Sequence, residues 1–185
     1  LSYMGASVLH EDAIFSARVA NIPINIRNTN DPENPGTMIT AGDECESGRI
    51  ITGIAGSKNF TVIAIYKNMM SSDRGFIRKL LTIIEDNELW VEHTPRGIDT
   101  VSIVISNEGL NGKLDDIIEE LTQSLKPDSI DVFDNMALVA TVGSRMSRRP
   151  GVSAKLFGAL AKAGINIRMI DQGSSEMNII VGVEN

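Results

Sequence analysis

Asn59-Phe60-Thr61-Val62-Ile63-Ala64 returns in character as Asn135-Met136-Ala137-Leu138-Val139-Ala140, 76 positions further on. Each is an apolar, β-rich run opened by an asparagine. Carried outward, the same offset sets Met70 on Met146, Gly75 on Gly151 and Leu80 on Leu156. Leu89 and Val91 then fall on Ile165 and Ile167, and Ile103, Val104 and Ile105 on Ile179, Ile180 and Val181. A register held without a gap over about 45 residues, the size of a supersecondary unit, reads as two copies of one small module.

Both copies parse alike. Strand-like runs at 61–67 and 137–142 lead through a polar loop ending in glycine to an amphipathic helix. Phe76, Leu80, Ile83 and Ile84 keep helical spacing in the first copy; Val152, Leu156, Phe157 and Leu160 keep it in the second. Gly164 stands where a C-cap belongs, with Asn87 near the matching place. Two further strand-like runs follow, 89–93 with 101–105 and 165–170 with 177–183. The first copy continues into a second helix, with Leu114, Ile117, Ile118, Leu121 and Leu125 on its apolar stripe and Asp115, Asp116, Glu119 and Glu120 on its wet face. Pro127 stops that helix, and 130–133 reads as a last strand. The order β-α-β-β-α-β predicts an α+β, ferredoxin-like module with helices on one face of its sheet.

The second copy reaches Asn185 before any second helix. Residues 48–55, Gly-Arg-Ile-Ile-Thr-Gly-Ile-Ala, are strand-like and lie outside the first copy, so they are expected to supply the second module with a strand. The expected division is 1–47 as a tail and linker, 48–58 as that joining strand, 59–134 as module one and 135–185 as module two. Within the tail, 12–20 has helix character, 22–26 and 37–39 read as short strands, and 28–36 is a Pro/Gly-rich turn region. A start at Leu1 gives the expectation of a piece cut from a longer protein.

Composition narrows the function. Of 185 residues, 42% are hydrophobic and 4% aromatic, and 17 basic against 24 acidic residues leave a net charge of −7. No unbroken apolar run is long enough for a membrane span, and no secretory signal opens the chain. Cys45 is the single cysteine, which fits a reducing compartment and a cytoplasmic location. The acidic balance and the scarcity of stacking aromatics argue against nucleic-acid binding. Catalytic motifs are lacking: there is no Walker-type loop, no paired cysteines and no His-Glu-x-x-His. His10 and His93 are too far apart in sequence to suggest a metal site, so no metal is assigned. Asn59-Phe60-Thr61 matches a glycosylation sequon but leads a strand. Arg145, Arg148 and Arg149 read equally as an anion site or as a solvated loop, and Met69 and Met70 as packing.

A binding feature remains. In both copies a polar loop passes through glycine into a helix, Ser71-Ser72-Asp73-Arg74-Gly75-Phe76 and Ser147-Arg148-Arg149-Pro150-Gly151-Val152. Free N–H groups at a helix start favour a carboxylate, and glycine permits close approach. Glu92 and Asp99 supply acids for an ammonium. Together these suit a free amino acid, although the same turn also reads as an ordinary cap.

Met136-Ala-Leu-Val-Ala-Thr-Val-Gly143, Pro150-Gly-Val-Ser-Ala-Lys-Leu-Phe157, the run from Ala159 to Glu176 and Asn178-Ile-Ile-Val-Gly-Val-Glu184 resemble the regulatory region of aspartokinases, and the likeness extends over the chain. The resemblance implies tandem ACT modules over 48–185, preceded by the tail of an α/β amino-acid-kinase domain. It implies a parent enzyme that phosphorylates the β-carboxylate of aspartate with Mg-ATP, feedback-inhibited by an end-product amino acid, lysine first and threonine second. The kinase machinery of the family lies outside these residues, so the fragment is expected to be inactive and to hold no cofactor. Ser7 and Glu11 stand where the family carries lysine and proline, so no ATP contact is carried over. By the same resemblance the effector site takes Met70, Asp73, Arg74, Gly75, Phe76, Ile77, Val91 and Glu92, with Asp99 and Thr100 from the partner chain of a homodimer. Here Asp73 replaces a serine, Glu92 an aspartate, and Asp99-Thr100 a Ser-Glu pair. A structural dimerisation module without ligand is the alternative.

Overall fold

The computed structural model describes residue 9 and residues 11–40 and 49–185. Cys45, His10, most of the first ten residues and the expected linker lie outside the described residues. The N-terminal part comprises helix α1 (Glu11–Val19) and the strands β1 (Ile24–Ile26) and β2 (Thr37–Ile39), paired antiparallel with Ile24 opposite Ile39.

The remainder is built on two 14-residue strands, β3 (Gly53–Tyr66) and β5 (Ser129–Val142). Between them lie α2 (Phe76–Asp86), β4 (Thr100–Ser106), α3 (Asn107–Leu110) and α4 (Leu114–Leu125). After them come α5 (Val152–Lys162), β6 (Ile167–Asp171) and β7 (Asn178–Glu184). One antiparallel sheet has the order β4-β3-β5-β7-β6. The C-terminal part of β3, from Phe60, pairs with β4, while its start, Gly53 to Ser57, pairs with Leu138 to Val142 of β5. Thr52 extends that ladder, its N–H donating to the Val142 carbonyl at 2.8 Å. Residues ahead of the first repeat therefore sit against the first strand of the second.

Where each long strand passes from one half of the sheet to the other, the ladder slips. The irregularities fall between Ser57 and Val62, and Asn59 and Asn135 hold φ of 68° and 52°. These two residues are related by the 76-residue offset. Asparagine is the side chain, after glycine, that best tolerates this left-handed conformation.

The offset does not persist to the last strand. Phe60 faces Ser106, which projects Met136 onto Gly182, whereas Met136 faces Glu184. The true counterparts of Val101, Ile103 and Ile105 are thus Ile179, Val181 and Val183. A two-residue slip preserves the face each side chain takes, so the sequence pattern conceals it. A second correction concerns 89–93, which is no regular strand. Val104 accepts from the Glu92 N–H yet donates to the His93 carbonyl, so two residues oppose one. Pro95 then has no N–H to return, and only isolated bridges at His93 and Arg96 remain.

Three cores follow from strand alternation. Ile63, Ile65, Val101, Ile103 and Ile105 face α2 and α4, meeting Phe76, Leu80, Ile84, Ile117 and Leu121. Ile179, Val181 and Val183 face Val152 and Leu156 of α5. Phe60, Val62, Val104, Met136, Leu138, Met169 and Ile180, from both halves, form one shared cluster. Asn87 caps α2 by donating to the Ile83 carbonyl and ties it to Glu120 of α4. No helix among the described residues is long and apolar enough to cross a membrane.

Replacing Asn59 by glycine should leave stability within about 0.5 kcal/mol, whereas Asn59→Val should cost about 1–3 kcal/mol because a β-branched residue resists positive φ. Urea denaturation measures both; equal losses would remove the backbone explanation.

Candidate functional site

The β3 strand ends at Tyr66, and the chain is pinned there on both sides. Lys67 N–H donates to the Asp99 carbonyl at 3.0 Å, and Asp128 N–H to the Tyr66 carbonyl at 2.8 Å. The Asp128 carboxylate accepts from the Asn68 N–H at 2.6 Å. Met69 takes a left-handed φ of 59°, and a 3-10 turn, Met70–Ser72, sinks Met70 into the first core.

Asp73 organises the next step. Its Oδ1 accepts the Gly75 N–H at 3.2 Å, and its carbonyl accepts the Phe76 N–H at 3.1 Å. Gly75, the N-cap of α2, has no side chain to cap with, so Asp73 serves from two residues upstream. The N–H groups of Ile77 and Arg78, in the first turn, have no intrahelical acceptor. A small anion at this turn would meet those two donors rather than Gly75 and Phe76.

Lys67 completes the cluster, and sequence reading passed over it. Its Nζ donates to the Leu125 carbonyl at the end of α4 at 2.7 Å, lies 3.6 Å from Asp73 Oδ2 and stands 5.1 Å from the centre of the Phe76 ring. The Leu125 carbonyl is one of those a helix C-terminus leaves without an internal donor. A helix end, a carboxylate and an aromatic face each favour a cation. One signal was available: the 76-residue offset sets Lys67 on Gly143, a residue with no side chain to offer.

The other candidate residues spread from this point. Phe76 is buried, and Ile77 and Val91 pack against the first core. Arg74 is exposed, while Glu92 and Asp99 are half-buried. Thr100 opens β4 and lines a different cleft, of roughly 590 Å³, with Tyr66, Ser102, Phe133, Arg168 and Asp171. The chain therefore gathers Met70, Asp73, Gly75, Phe76 and Ile77, and sets Thr100 apart.

The equivalent turn of the second copy borders a cleft. Gly151 precedes α5 with φ of 89°, and a cleft of roughly 420 Å³ there is lined by Arg148, Arg149, Ser153, Gln172 and Glu176. Glu176 accepts the Arg148 N–H at 2.6 Å. His93 and Asp171 join the two halves, with Nδ1 and Oδ2 2.9 Å apart, and the His93 Nε2 is buried without a partner. Among the described residues no group of three or more His, Cys, Asp or Glu is placed to hold a metal.

Residues 139–185 match the ACT-domain family. Aspartokinase 3 of Bacillus subtilis (strain 168) is 36% identical over 185 residues, covering all of this chain and 40% of that protein. The aspartate kinase of Clostridium acetobutylicum, a solved structure, is 56% identical with a TM-score of 0.92, and the match covers 100% of this chain and 42% of that one. A crystal structure of aspartokinase alpha and beta subunits is 30% identical with a TM-score of 0.62, over 72% of this chain and 88% of that one. The chain thus spans less than half the length of the Bacillus and Clostridium relatives.

Asp73→Ala should cost about 1 kcal/mol through the lost cap. Asp73→Asn, which keeps an acceptor for Gly75, should cost less than half of that, because a partly exposed ion pair contributes little. Denaturant unfolding of both variants tests the order.

Proposed function

This chain belongs to the aspartokinase family, and from that premise we propose that it is the amino-acid-sensing part of an enzyme that transfers phosphate from ATP to the β-carboxylate of aspartate. The reading rests above all on the turn into α2. There a buried methionine, a capped glycine and two open N–H groups stand beside groups that hold an ammonium. A free amino acid carries both charges that such a turn recognises. Lysine is the proposed effector. Escherichia coli aspartokinase III, 26% identical over the whole chain with a TM-score of 0.76, has been solved in complex with lysine and aspartate.

In this reading the open N–H groups of the first turn of α2 hold the carboxylate, and Glu92 or Asp99 the α-ammonium. Met70, Phe76 and Val91 line the aliphatic stem. A second copy of the chain contributes Asp99 and Thr100, which explains why Thr100 stands away from the turn of its own chain. Trp90 and Ile98, 84% and 79% exposed on the same segment, offer apolar surface to that copy. Effector binding would shift the packing of paired modules, a coupling of about 1–3 kcal/mol passed to the kinase domain. The alternative, a dimerisation module without ligand, draws on the turn being occupied already by Lys67 and Asp73.

Calorimetric titration with lysine, threonine and methionine separates these readings: lysine is expected to bind, and absence of heat from all three favours the structural module. In a lysine-binding chain, the double change Glu92→Ala and Asp99→Ala should weaken affinity at least tenfold; unchanged affinity defeats the roles given to those acids.

A further inference from the structure

The ammonium of Lys67 is held by three different groups, and each is chemically suited to any primary ammonium. The Leu125 carbonyl at the end of α4 accepts its hydrogen bond, the Asp73 carboxylate lies beside it, and the Phe76 ring stands under it. The side chain is 25% exposed, so one edge of this receptor opens to solvent. Lys67 starts from the end of β3 rather than from either helix, and reaches the receptor on a four-methylene stem. A free lysine brings the same stem and the same ammonium. The second copy has Gly143 at the equivalent position, and its turn opens on a cleft instead.

We infer that Lys67 is a tethered competitor that occupies the side-chain ammonium subsite of the α2 turn, and that it sets the concentration at which an effector binds. The inference rests on the amino-acid-sensing reading of the same turn and adds to it the subsite and its resident occupant. A free ammonium enters only when Lys67 swings into solvent, which a long flexible stem permits. The apparent affinity is then the intrinsic affinity multiplied by the fraction of molecules with Lys67 withdrawn. With about one molecule in ten in that state, removal of Lys67 should tighten effector binding about tenfold.

The test is the Lys67→Ala chain, titrated beside the unaltered chain with n-butylammonium, with n-butanol as its neutral counterpart, and with L-lysine. The alanine variant should bind n-butylammonium about tenfold more tightly than the unaltered chain, with a rise in melting temperature that n-butanol does not reproduce. It should bind lysine more tightly by a similar factor. If n-butylammonium binds both chains equally, or neither, the subsite is overturned. If n-butylammonium distinguishes the chains but lysine binds neither, the competitor stands and the choice of lysine as effector falls. Lys67→Met keeps an unbranched apolar stem against Phe76 without the charge and carries the same comparison should the alanine variant not fold.

Discussion

The β3–β5 ladder is the constraint on which the rest depends. Each strand belongs to both halves of the molecule, and each is paired over nearly its full length with the other. With β4 on one side and β7 on the other, this pair turns two short modules into one five-stranded sheet. The second half completes its pairing only by taking Gly53 to Ser57 from ahead of the first repeat, and the apolar cluster containing Phe60, Val62, Met136 and Leu138 seals the junction. The ladder also positions the α2 turn, since Lys67 and Met70 follow directly from the end of β3.

Chemistry at that turn is a matter of ends. The end of β3, the start of α2 and the end of α4 converge, and each leaves backbone groups that its own element cannot satisfy. Asp73 answers the donors of Gly75 and Phe76, and Lys67 answers the acceptor of Leu125. Charge complementarity between these two side chains then links the two ends. Asp73 and Lys67 thus act as a pair, because either charge alone would sit beside the helix ends without its counterpart.

Much of the fold was legible because periodicity is a direct imprint of burial. Phe76, Leu80, Ile83 and Ile84 announce α2, and Ile117, Leu121 and Leu125 announce α4, since one helical face must pack on the sheet. Two features escaped. The two-residue slip at β7 is silent in a pattern of period two, and the bulge at Glu92 and His93 leaves the apolar alternation of 89–93 intact while breaking its pairing. At the turn, glycine and polar residues marked the loop by type. Lys67 went unread because its role depends on Leu125, 58 residues away, and on a backbone oxygen that no sequence pattern displays.

Gly53 to Ser57 meet partners 81 to 89 residues further along the chain. Contacts of that span are slow to form, because a long loop must close before any of them stabilises the product. On a ribosome, the first repeat can collapse around α2 and α4 while Gly53 to Ser57 still lack a neighbour. Only when residues 138 to 142 emerge does the strand edge close. Synthesis therefore passes through an interval in which an unpaired, apolar strand edge is exposed, the kind of edge that chaperones shield and neighbouring chains mistake for their own.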